Sequence, residues 1–410
     1  MNSLAGLPDE RQLLSAFPAI DVLNVNGHIH TPYSFSAFGS IPEIFGMAVK
    51  ENISCLGIND FFVADGYDSF HDGAVSNGIL PLFNIEFIGL MKEEQRSGLR
   101  INDPNNPGRC YFCGKGLDYP FHVNAYLSRK LENVIRLSQE QVKAMIEKMN
   151  DVFYDLGSDI RFNYEEIRAR LSKNLVRERH LAKSVRMSIF ERYPETDSRI
   201  QFMSKLFGGK TIESSITDIP ALENEIRANL LKSGGRAFVE EDDNTFLSIN
   251  EIIEIILDAG GIPCYPVLLD DKKGNYTEFE SSPEMLLNEL KKRNINCIEL
   301  IPGRNDALHL EKFVNFFDKN GFLILMGSEH NTPEMIPLTC DTRGKRPLTF
   351  DMKRISYEGA CIVAAHQYLR AKGGKGYINE NGHAQTSENR YYIMLGNAII
   401  HYHSQKHPQI

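Results

Sequence analysis

The chain has 410 residues, with 45 basic and 54 acidic side chains, so its formal net charge is −9. An apolar fraction of 42% and a charged fraction of 24% are typical of a globular protein. These values exclude disordered, collagen-like and small disulfide-rich classes. The acidic balance argues against a general nucleic-acid binder, which would present a basic surface to phosphates.

Cysteine usage and the length of the apolar runs indicate a cytoplasmic protein. The seven cysteines are odd in number and scattered, unlike a disulfide framework. The first 19 residues carry Asp9, Glu10 and Arg11 and lack the apolar core of a signal peptide. The longest apolar runs, such as residues 322–326, are far shorter than the ~18 residues that cross a bilayer. We therefore expect no membrane contact and a reducing environment.

Short apolar runs that end in polar residues predict buried strands. These runs are residues 22–25, 55–58, 80–83, 121–123, 261–265, 297–301 and 322–326. Amphipathic segments lie between them, and the clearest is 248–259, where Ser248 and Glu251 form a capping-box pattern. Alternating strands and helices predict a parallel α/β barrel or open sheet, with a site at the C-terminal ends of the strands.

Two segments interrupt this alternation. Residues 92–120 are rich in Gly, Pro, Asn and Asp and are predicted to form a long loop. Residues 137–231 have helical patterns without strand runs, which predicts an inserted helical subdomain. The predicted organisation is a first barrel part over 1–136, the insertion over 137–244, a second barrel part over 245–352, and a closing helix with a tail over 353–410.

Histidines and carboxylates follow several of the predicted strands. His28 and His30 are two apart, so in an extended strand both imidazoles point to the same side and can reach one ion. Three later runs end in Asp60, Glu86 and Glu329. Histidine with carboxylate is a ligand set suited to Zn, Mn or Fe. The sequence therefore predicts a metal site at the strand ends.

The motifs occur in a characteristic order: G-H-I-H-T at 27–31, G-I-N-D at 57–60, Glu86, His122, G-G-I-P at 260–263 and G-S-E at 327–329. This order resembles the PHP (polymerase and histidinol phosphatase) superfamily over nearly three quarters of the chain. The resemblance implies a distorted (β/α)7 TIM-like barrel, one to three metal ions and, commonly, hydrolysis of phosphoesters.

The resemblance also implies roles for individual residues. His28 and His30 are similar to the family's first pair of ligands, Glu86 to its bridging carboxylate and His122 to its next histidine. Glu329 stands where the family has the Asp of a G-S-D-x-H motif. In addition, Asp60 matches the Asp of the T-D-H motif, and R-H-L-A at 179–182 resembles an R-x-H-[IL]-A helix of family members with an inserted subdomain.

Several positions depart from the family pattern. Phe61 replaces the His of T-D-H, and Tyr265 replaces the His that precedes Pro in the G-G-I-P strand. Asn331 replaces the final His of G-S-D-x-H, while His330 lies one residue early. Phenylalanine cannot coordinate a cation, and Asn is a poor ligand for these metals. A trinuclear centre is therefore not expected.

We predict one or two divalent ions instead. The first would be held by His28, His30, Glu86 and Glu329, and a second could lie near Glu86 and His122. Other motifs carry weaker signals. Residues 110–113 form a lone C-x-x-C without a second pair, which is weak evidence for structural zinc. Arg109, Lys115 and Arg304 could reach an anion over the barrel mouth or form salt bridges.

The first functional hypothesis is a metal-dependent hydrolase that acts on a small phosphorylated or otherwise anionic metabolite. Asp60 or His122 would orient or deprotonate a metal-activated water, and His330 would protonate the leaving oxygen. If the insertion covers the barrel mouth, its basic stretch would supply an anion site. The candidate substrate-binding residues are Arg179, His180, Arg304 and Tyr265.

Two other hypotheses stay open. The lost ligands at Phe61, Tyr265 and Asn331 also fit a PHP-like barrel that no longer hydrolyses and serves as a metal-containing binding or regulatory protein. A lyase or isomerase with Tyr265 as acid or base is the third hypothesis.

Overall fold

Seven strands lie side by side in chain order and form one sheet that curls into a nearly closed barrel. The computed structural model describes residues 3–271, 273–379 and 382–406. The strands are β1 (Asn24–Ile29), β2 (Ile53–Phe61), β3 (Leu80–Leu90), β4 (Arg109–Lys115), β5 (Ile262–Val267), β6 (Cys297–Leu300) and β7 (Leu323–Met326). A parallel bridge between Ile29 and Glu329 joins β1 to the chain just after β7. The predicted seven-stranded α/β barrel is confirmed.

The sheet is mostly parallel. β1, β2 and β3 run parallel to one another, as do β5, β6 and β7, whereas β4 is antiparallel to both β3 and β5. Both faces of the sheet are covered, so the strands are continuous apolar runs rather than alternating ones. All residues of β3 are buried, for example. The buried polar exceptions within the strands include Asn26, His28, Asn59, Asn84, Glu86, Lys115 and Glu299.

Helices cover the barrel and build the insertion. They are α1 (Glu10–Ala16), α2 (Ile41–Lys50), α3 (Tyr67–Ser76), α4 (Lys92–Arg96), α5 (Ala125–Asp155), α6 (Tyr164–Leu171), α7 (Glu178–Arg192), α8 (Thr196–Leu206), α9 (Ile219–Ile226), α10 (Ile249–Asp258), α11 (Pro283–Lys292), α12 (Ala307–Lys319), α13 (Phe350–Ala371) and α14 (Asn389–Lys406). The predicted capping box starts α10, because Ser248 Oγ accepts from the Glu251 N–H at 3.3 Å and Glu251 Oε2 accepts from the Ser248 N–H at 2.9 Å. Within the described ranges, every helix is too short or too polar to span a bilayer.

The fourth strand lies where the sequence predicted a loop, and this prediction was wrong. β4 falls inside residues 92–120, and the predicted strand at 121–123 has no regular structure. The Gly-, Pro- and Asn-rich connection before β4 reverses the chain, so β4 pairs antiparallel with β3. His122 is therefore not at a strand end. It is exposed and does not line the cavity described below.

The C-x-x-C motif lies within β4, where residues three apart point to opposite faces of the sheet. Cys110 packs in a cluster with Phe112, while Cys113 packs in another cluster with Cys264. The two thiols therefore cannot bind one ion together. All seven cysteines are buried and free.

The long helix α5 passes from the barrel into the insertion. Its first part, with Leu127 and Val134, packs in the core cluster of the barrel. Its later part, with Val142 and Met149, packs in a separate core formed by the helices of the insertion. One rigid helix thus connects the two cores and fixes the direction in which the insertion leaves the barrel.

Two antiparallel-packed helices close the chain. α13 contacts β1, β3 and β7, and Gln367 on it bonds to the β3 backbone at Pro81 and Phe83. α14 lies in the segment that was predicted to be a tail, so that prediction was wrong. It packs on α13 with Gly396 against the Cys361 backbone, where any larger side chain would collide. Hydrophobic periodicity does not reveal α14, because polar Asn397 and His403 are buried on it together with Leu395, Ala398 and Ile399.

Candidate metal centre

Three side chains converge inside the barrel mouth. His28 lies in β1, His30 directly follows it, and Glu86 lies in β3. His28 Nε2 and His30 Nε2 are 3.2 Å apart, and Glu86 Oε2 is 3.1 Å from His30 Nε2 and 3.9 Å from His28 Nε2. All three residues are at least 96% buried. They form one of two groups in the described part of the chain whose ligand atoms lie close enough to hold one ion.

Hydrogen bonds on the far side of each ring leave the Nε2 lone pairs facing the site. His28 Nδ1 is 2.7 Å from Glu299 Oε2, a carboxylate that accepts its proton. His30 Nδ1 is 3.3 Å from Ser34 Oγ, and that hydroxyl donates to Asp60 Oδ1 at 2.7 Å. Because the Ser34 hydroxyl donates its proton to Asp60, its oxygen accepts the proton of His30 Nδ1. A proton fixed on Nδ1 leaves Nε2 as a ligand atom.

The Glu86 carboxylate fits a cation at this position. Its Oε2 atom is buried and accepts no hydrogen bond from the described residues. Burial raises the pKa of Glu86 to about 8, with Glu329 and Glu299 adding to the rise and His28 opposing it. Burial also lowers the pKa of His30 to about 4, so its ring is neutral near pH 7. The neutral imidazole of His30, the Nε2 atom of His28 and an unsatisfied carboxylate oxygen suit a divalent ion.

Glu329 lies in the same cavity but has other partners. Arg304 forms an ion pair with its carboxylate, and Asn331 donates a hydrogen bond to Oε1. Burial raises the pKa of Glu329, but Arg304 and the two histidines more than offset this and lower it. The geometry therefore groups three of the four predicted ligands, and the fourth is neutralised by an arginine.

Asp60 supports the site rather than facing it. Its carboxylate accepts from the Thr31 N–H at 2.8 Å, from the Ser34 hydroxyl and, at 2.5 Å, from the Thr31 hydroxyl. It is buried and does not line the cavity. The predicted role as a base for water is thus not supported. The carboxylate instead ties the chain after β1 to the end of β2.

His330 and Tyr265 were also predicted to act at the site, and neither lines the cavity. His330 bonds to Ser328 Oγ through Nδ1 and to the Ile336 carbonyl through Nε2, so both ring nitrogens are occupied. Tyr265 donates its phenolic proton to Glu280 Oε1 at 2.8 Å within the barrel wall. Both side chains miss the cavity because successive residues point to different sides. The adjacent residues, Glu329 beside His330 and Pro266 beside Tyr265, line the cavity instead.

A cavity of about 1030 Å³ is shared between the barrel and the insertion, and His28 and Glu86 line it, with His30 buried behind them. Its cationic lining residues are Arg109, Arg177, Arg179, Arg227, Lys232 and Arg304. Arg227 and Lys232 pair with Glu178, and Arg109 pairs with Glu241. Arg177 and Arg179 have no ion pair among the described residues.

Arg177 and Arg179 approach the site on aromatic rings. The Arg177 guanidinium lies 4.3 Å from the centre of the Phe61 ring, which itself stacks on His30 at 4.7 Å. Phe61, which departs from the family pattern, thus separates the candidate metal site from an arginine. Arg179 donates to Asn224 Oδ1 at 2.9 Å, and its pKa is lowered to about 10 by burial and by Arg227.

His180 does not reach the cavity. It is buried, and its Nδ1 accepts from the Arg177 N–H at 2.9 Å at the start of α7. Burial lowers the pKa of His180 to about 3, so it stays neutral. Its predicted role in substrate binding is therefore not supported. The ring instead fixes the backbone that carries the two arginines.

One buried charged residue at the site, Glu299, was missed. It lies in the apolar run of β6, and a carboxylate in a fully buried strand is a signal that could have been noticed. Lys115 ends β4 and is fully buried in the barrel, where it pairs with Glu299. Of the two alternatives that the sequence left open for Lys115, the salt bridge is therefore the one that forms, because the antiparallel direction of β4 carries this residue toward the opposite end of the barrel.

Two solved structures share this fold. One is a protein from Bifidobacterium adolescentis named a "putative metal-dependent phosphoesterase", with a TM-score of 0.53 and 15% identity over 82% of this chain and 96% of that chain. The other is an amidohydrolase from Chromobacterium violaceum, solved with sulfate and without metal, with a TM-score of 0.51 and 17% identity over 81% and 96%. Neither a scan against family models nor a search of curated proteins found a match. In fold, the chain is thus similar to a metal-dependent phosphoesterase and to an amidohydrolase, and all three share the barrel that the motif order implied.

Proposed function

We propose that this chain is a metal-dependent hydrolase of small phosphorylated metabolites and that it holds one divalent ion through His28, His30 and Glu86. The observation that carries the proposal is the convergence of two Nε2 lone pairs and one unsatisfied carboxylate oxygen within 3.1–3.9 Å. Zn, Mn and Fe each accept this donor set. When bound, such an ion activates water and polarises a phosphoryl oxygen.

The chain's own cations would bind and orient the substrate anion. Arg177 and Arg179 lack carboxylate partners among the described residues, and an incoming phosphoryl group would supply one. Arg304 pairs with Glu329 at the rim of the cavity and has further N–H groups to donate. The insertion that carries Arg177 and Arg179 covers the mouth and would exclude water around the reacting group. The metal-dependent phosphoesterase of similar fold supports this substrate class.

A second candidate function is a metal-containing binding or regulatory protein. The observation that favours it is that the side chains predicted to transfer protons have other partners or lie outside the cavity. Asp60 and His330 are tied to other partners, and Glu329 is held ionised by Arg304. Hydrolysis would then depend on the ion and the arginines alone. A lyase or isomerase that uses Tyr265 is disfavoured, because that hydroxyl is buried against Glu280.

Elemental analysis of freshly purified protein, combined with a panel of small phosphomonoesters, tests the proposal. We expect one equivalent of Zn, Mn or Fe and release of phosphate that is lost on chelation. One ion with phosphate binding but no turnover would favour the binding protein. A chain that takes up no divalent ion would contradict both, and three bound ions would contradict the assignment of ligands. Tyr265→Phe should leave turnover unchanged, and loss of turnover in that variant would revive the lyase hypothesis.

A further inference from the structure

A buried ion pair contacts the candidate metal centre through His28. Lys115 and Glu299 are both completely buried, and Lys115 Nζ pairs with Glu299 Oε1. Lys115 Nζ also donates to Asn59 Oδ1 at 2.8 Å, and the Gly27 carbonyl lies 3.5 Å away. The second carboxylate oxygen, Glu299 Oε2, is 2.7 Å from His28 Nδ1. The ammonium thus reaches His28 through a single carboxylate.

A contribution to stability does not by itself explain this buried ion pair. The free energy needed to move two charges out of water can exceed the attraction between them in the core. Apolar residues of similar volume often stabilise a core equally well. The insertion offers a comparison, since the half-buried Arg186 pairs with the buried Glu223 without contacting any candidate ligand. What distinguishes the pair of Lys115 and Glu299 is the contact of Glu299 with His28.

We propose that Lys115 and Glu299 are positioning residues that fix the orientation and tautomer of His28 and thereby set metal affinity. This inference rests on the proposed function, because it assigns the ion to His28 Nε2. An ionised carboxylate can only accept, so the proton of the His28 ring must lie on Nδ1. Lys115 occupies Glu299 Oε1, which leaves Oε2 for the histidine. Nε2 then carries its lone pair toward His30 and Glu86.

Contacts around the pair keep the carboxylate ionised. Lys115 Nζ pairs with Glu299 Oε1, and an ammonium beside a carboxylate favours its charged form. Cys113 Sγ lies 3.6 Å from Glu299 Oε2 and adds a weak donor. The proton on Nδ1 therefore has an anionic acceptor 2.7 Å away.

Competition with a chromophoric chelator for Zn²⁺ tests the proposal. In the double variant Lys115→Met with Glu299→Leu both charges and the acceptor of the His28 Nδ1 proton are removed, so no unpaired ion is left in the core. We expect Zn²⁺ affinity to fall 10–100-fold, the usual effect of losing a partner of a metal-bound histidine. The matched control is Arg186→Met with Glu223→Leu, which should leave Zn²⁺ affinity unchanged. Unchanged affinity in the first variant, or an equal loss in both, would overturn the proposal.

A second measurement does not depend on metal binding or on the folding of a variant. Ring ¹⁵N shifts of His28 in the metal-free wild type should report a proton on Nδ1. A proton on Nε2 would overturn the inference, whatever the variants do. If the wild type shows the Nδ1 tautomer but takes up no Zn²⁺, the proposed function fails while the positioning of His28 by Glu299 stands.

Discussion

At the scale of single residues, the spacing of two histidines determined more than any other feature. Residues 28 and 30 share one side of β1, and the structure brings both rings to Glu86 from the third strand. The spacing of residues did not predict the hydrogen-bond and ion-pair partners of the other candidate site residues. Glu329 is held by Arg304, and Asp60 is held by Thr31 and Ser34. The position of a polar residue at a strand end predicts that it lies near the site. Its hydrogen-bond partners decide whether its side chain acts there.

Replacement of the Glu86 carboxylate tests the candidate ligand set. Glu86→Gln keeps the shape of the side chain but removes the charge, so metal content should fall at least ten-fold. Cys110→Ala, a buried change on the adjacent strand, is the control and should retain its metal. Elemental analysis of both purified variants measures their metal content. Equal losses would point to a structural role for the cysteines of β4.

The pH dependence of stability tests the assignment of Glu280 to the barrel wall. Burial raises the pKa of Glu280 to about 7, although the Tyr265 hydroxyl and two backbone N–H groups oppose the shift. In the unfolded chain the group titrates near its ordinary value of about 4.3. Between these values the folded state binds more protons, so the wild type loses stability as pH rises.

Glu280→Gln removes this dependence, and urea unfolding at pH 5 and pH 8 measures it. The wild type should lose up to about 3 kcal/mol more than the variant between these two pH values. Comparing the two proteins cancels the contributions of all other titrating groups. Parallel pH profiles would show that Glu280 is not buried against Tyr265 in solution.

At the scale of elements, tertiary pairing overrode local composition. β4 lies inside the segment whose Gly, Pro and Asn residues predicted a loop, because six of its seven residues pair with β3 and three pair with β5. α14 was missed for a related reason: tertiary packing buries polar as well as apolar side chains of this helix, so it lacks the one-sided apolar pattern of a surface helix. The helical character of the insertion was predictable, whereas its place over the mouth depends on the rigid helix α5.

Charge reversal in the insertion tests its contribution to the cavity. Arg179→Glu places an anion where the proposal needs a cation, so inorganic phosphate should bind roughly ten-fold more weakly, equivalent to about 1.4 kcal/mol. Metal content should stay the same, because Arg179 makes no hydrogen bond or ion pair with His28, His30 or Glu86. The control is Arg192→Glu on the same helix, whose partner is the exposed Asp159. Calorimetric titration of phosphate that gave equal affinity for wild type and Arg179→Glu would reduce the insertion to a packing element.

At the scale of the whole molecule, the two C-terminal helices hold the barrel from outside. Gly359 of α13 lies against the Ile324 backbone of β7, and Gly396 of α14 lies against the Cys361 backbone of α13. These close approaches let two helices stack on the sheet without a gap. The C-terminal part of the chain therefore contributes to the stability of the barrel although it does not line the cavity.

Two glycine substitutions test this packing. Gly396→Ala inserts a methyl group into backbone atoms of α13, so unfolding free energy should fall by about 1–3 kcal/mol or more. Gly46→Ala is the matched control, because Gly46 lies in the helix α2 with open space around it. That change should instead stabilise the protein by about 0.5–1 kcal/mol. Denaturant unfolding of both variants provides the measurement, and a neutral Gly396→Ala would contradict the close contact.

The sequence by itself determined the fold class, six of the seven strands and the two histidines with Glu86, because these follow from short-range periodicity and from motif order. The tertiary structure alone decided which side chains meet. His122 was misplaced because its strand does not exist, and Lys115 and Glu299 pair only because β4 runs antiparallel and ends beneath β6. Register and strand direction are long-range properties: a shift of one residue turns a side chain from the cavity into the wall, as at Tyr265 and His330. Local sequence does not encode that choice, since it depends on which strand lies alongside.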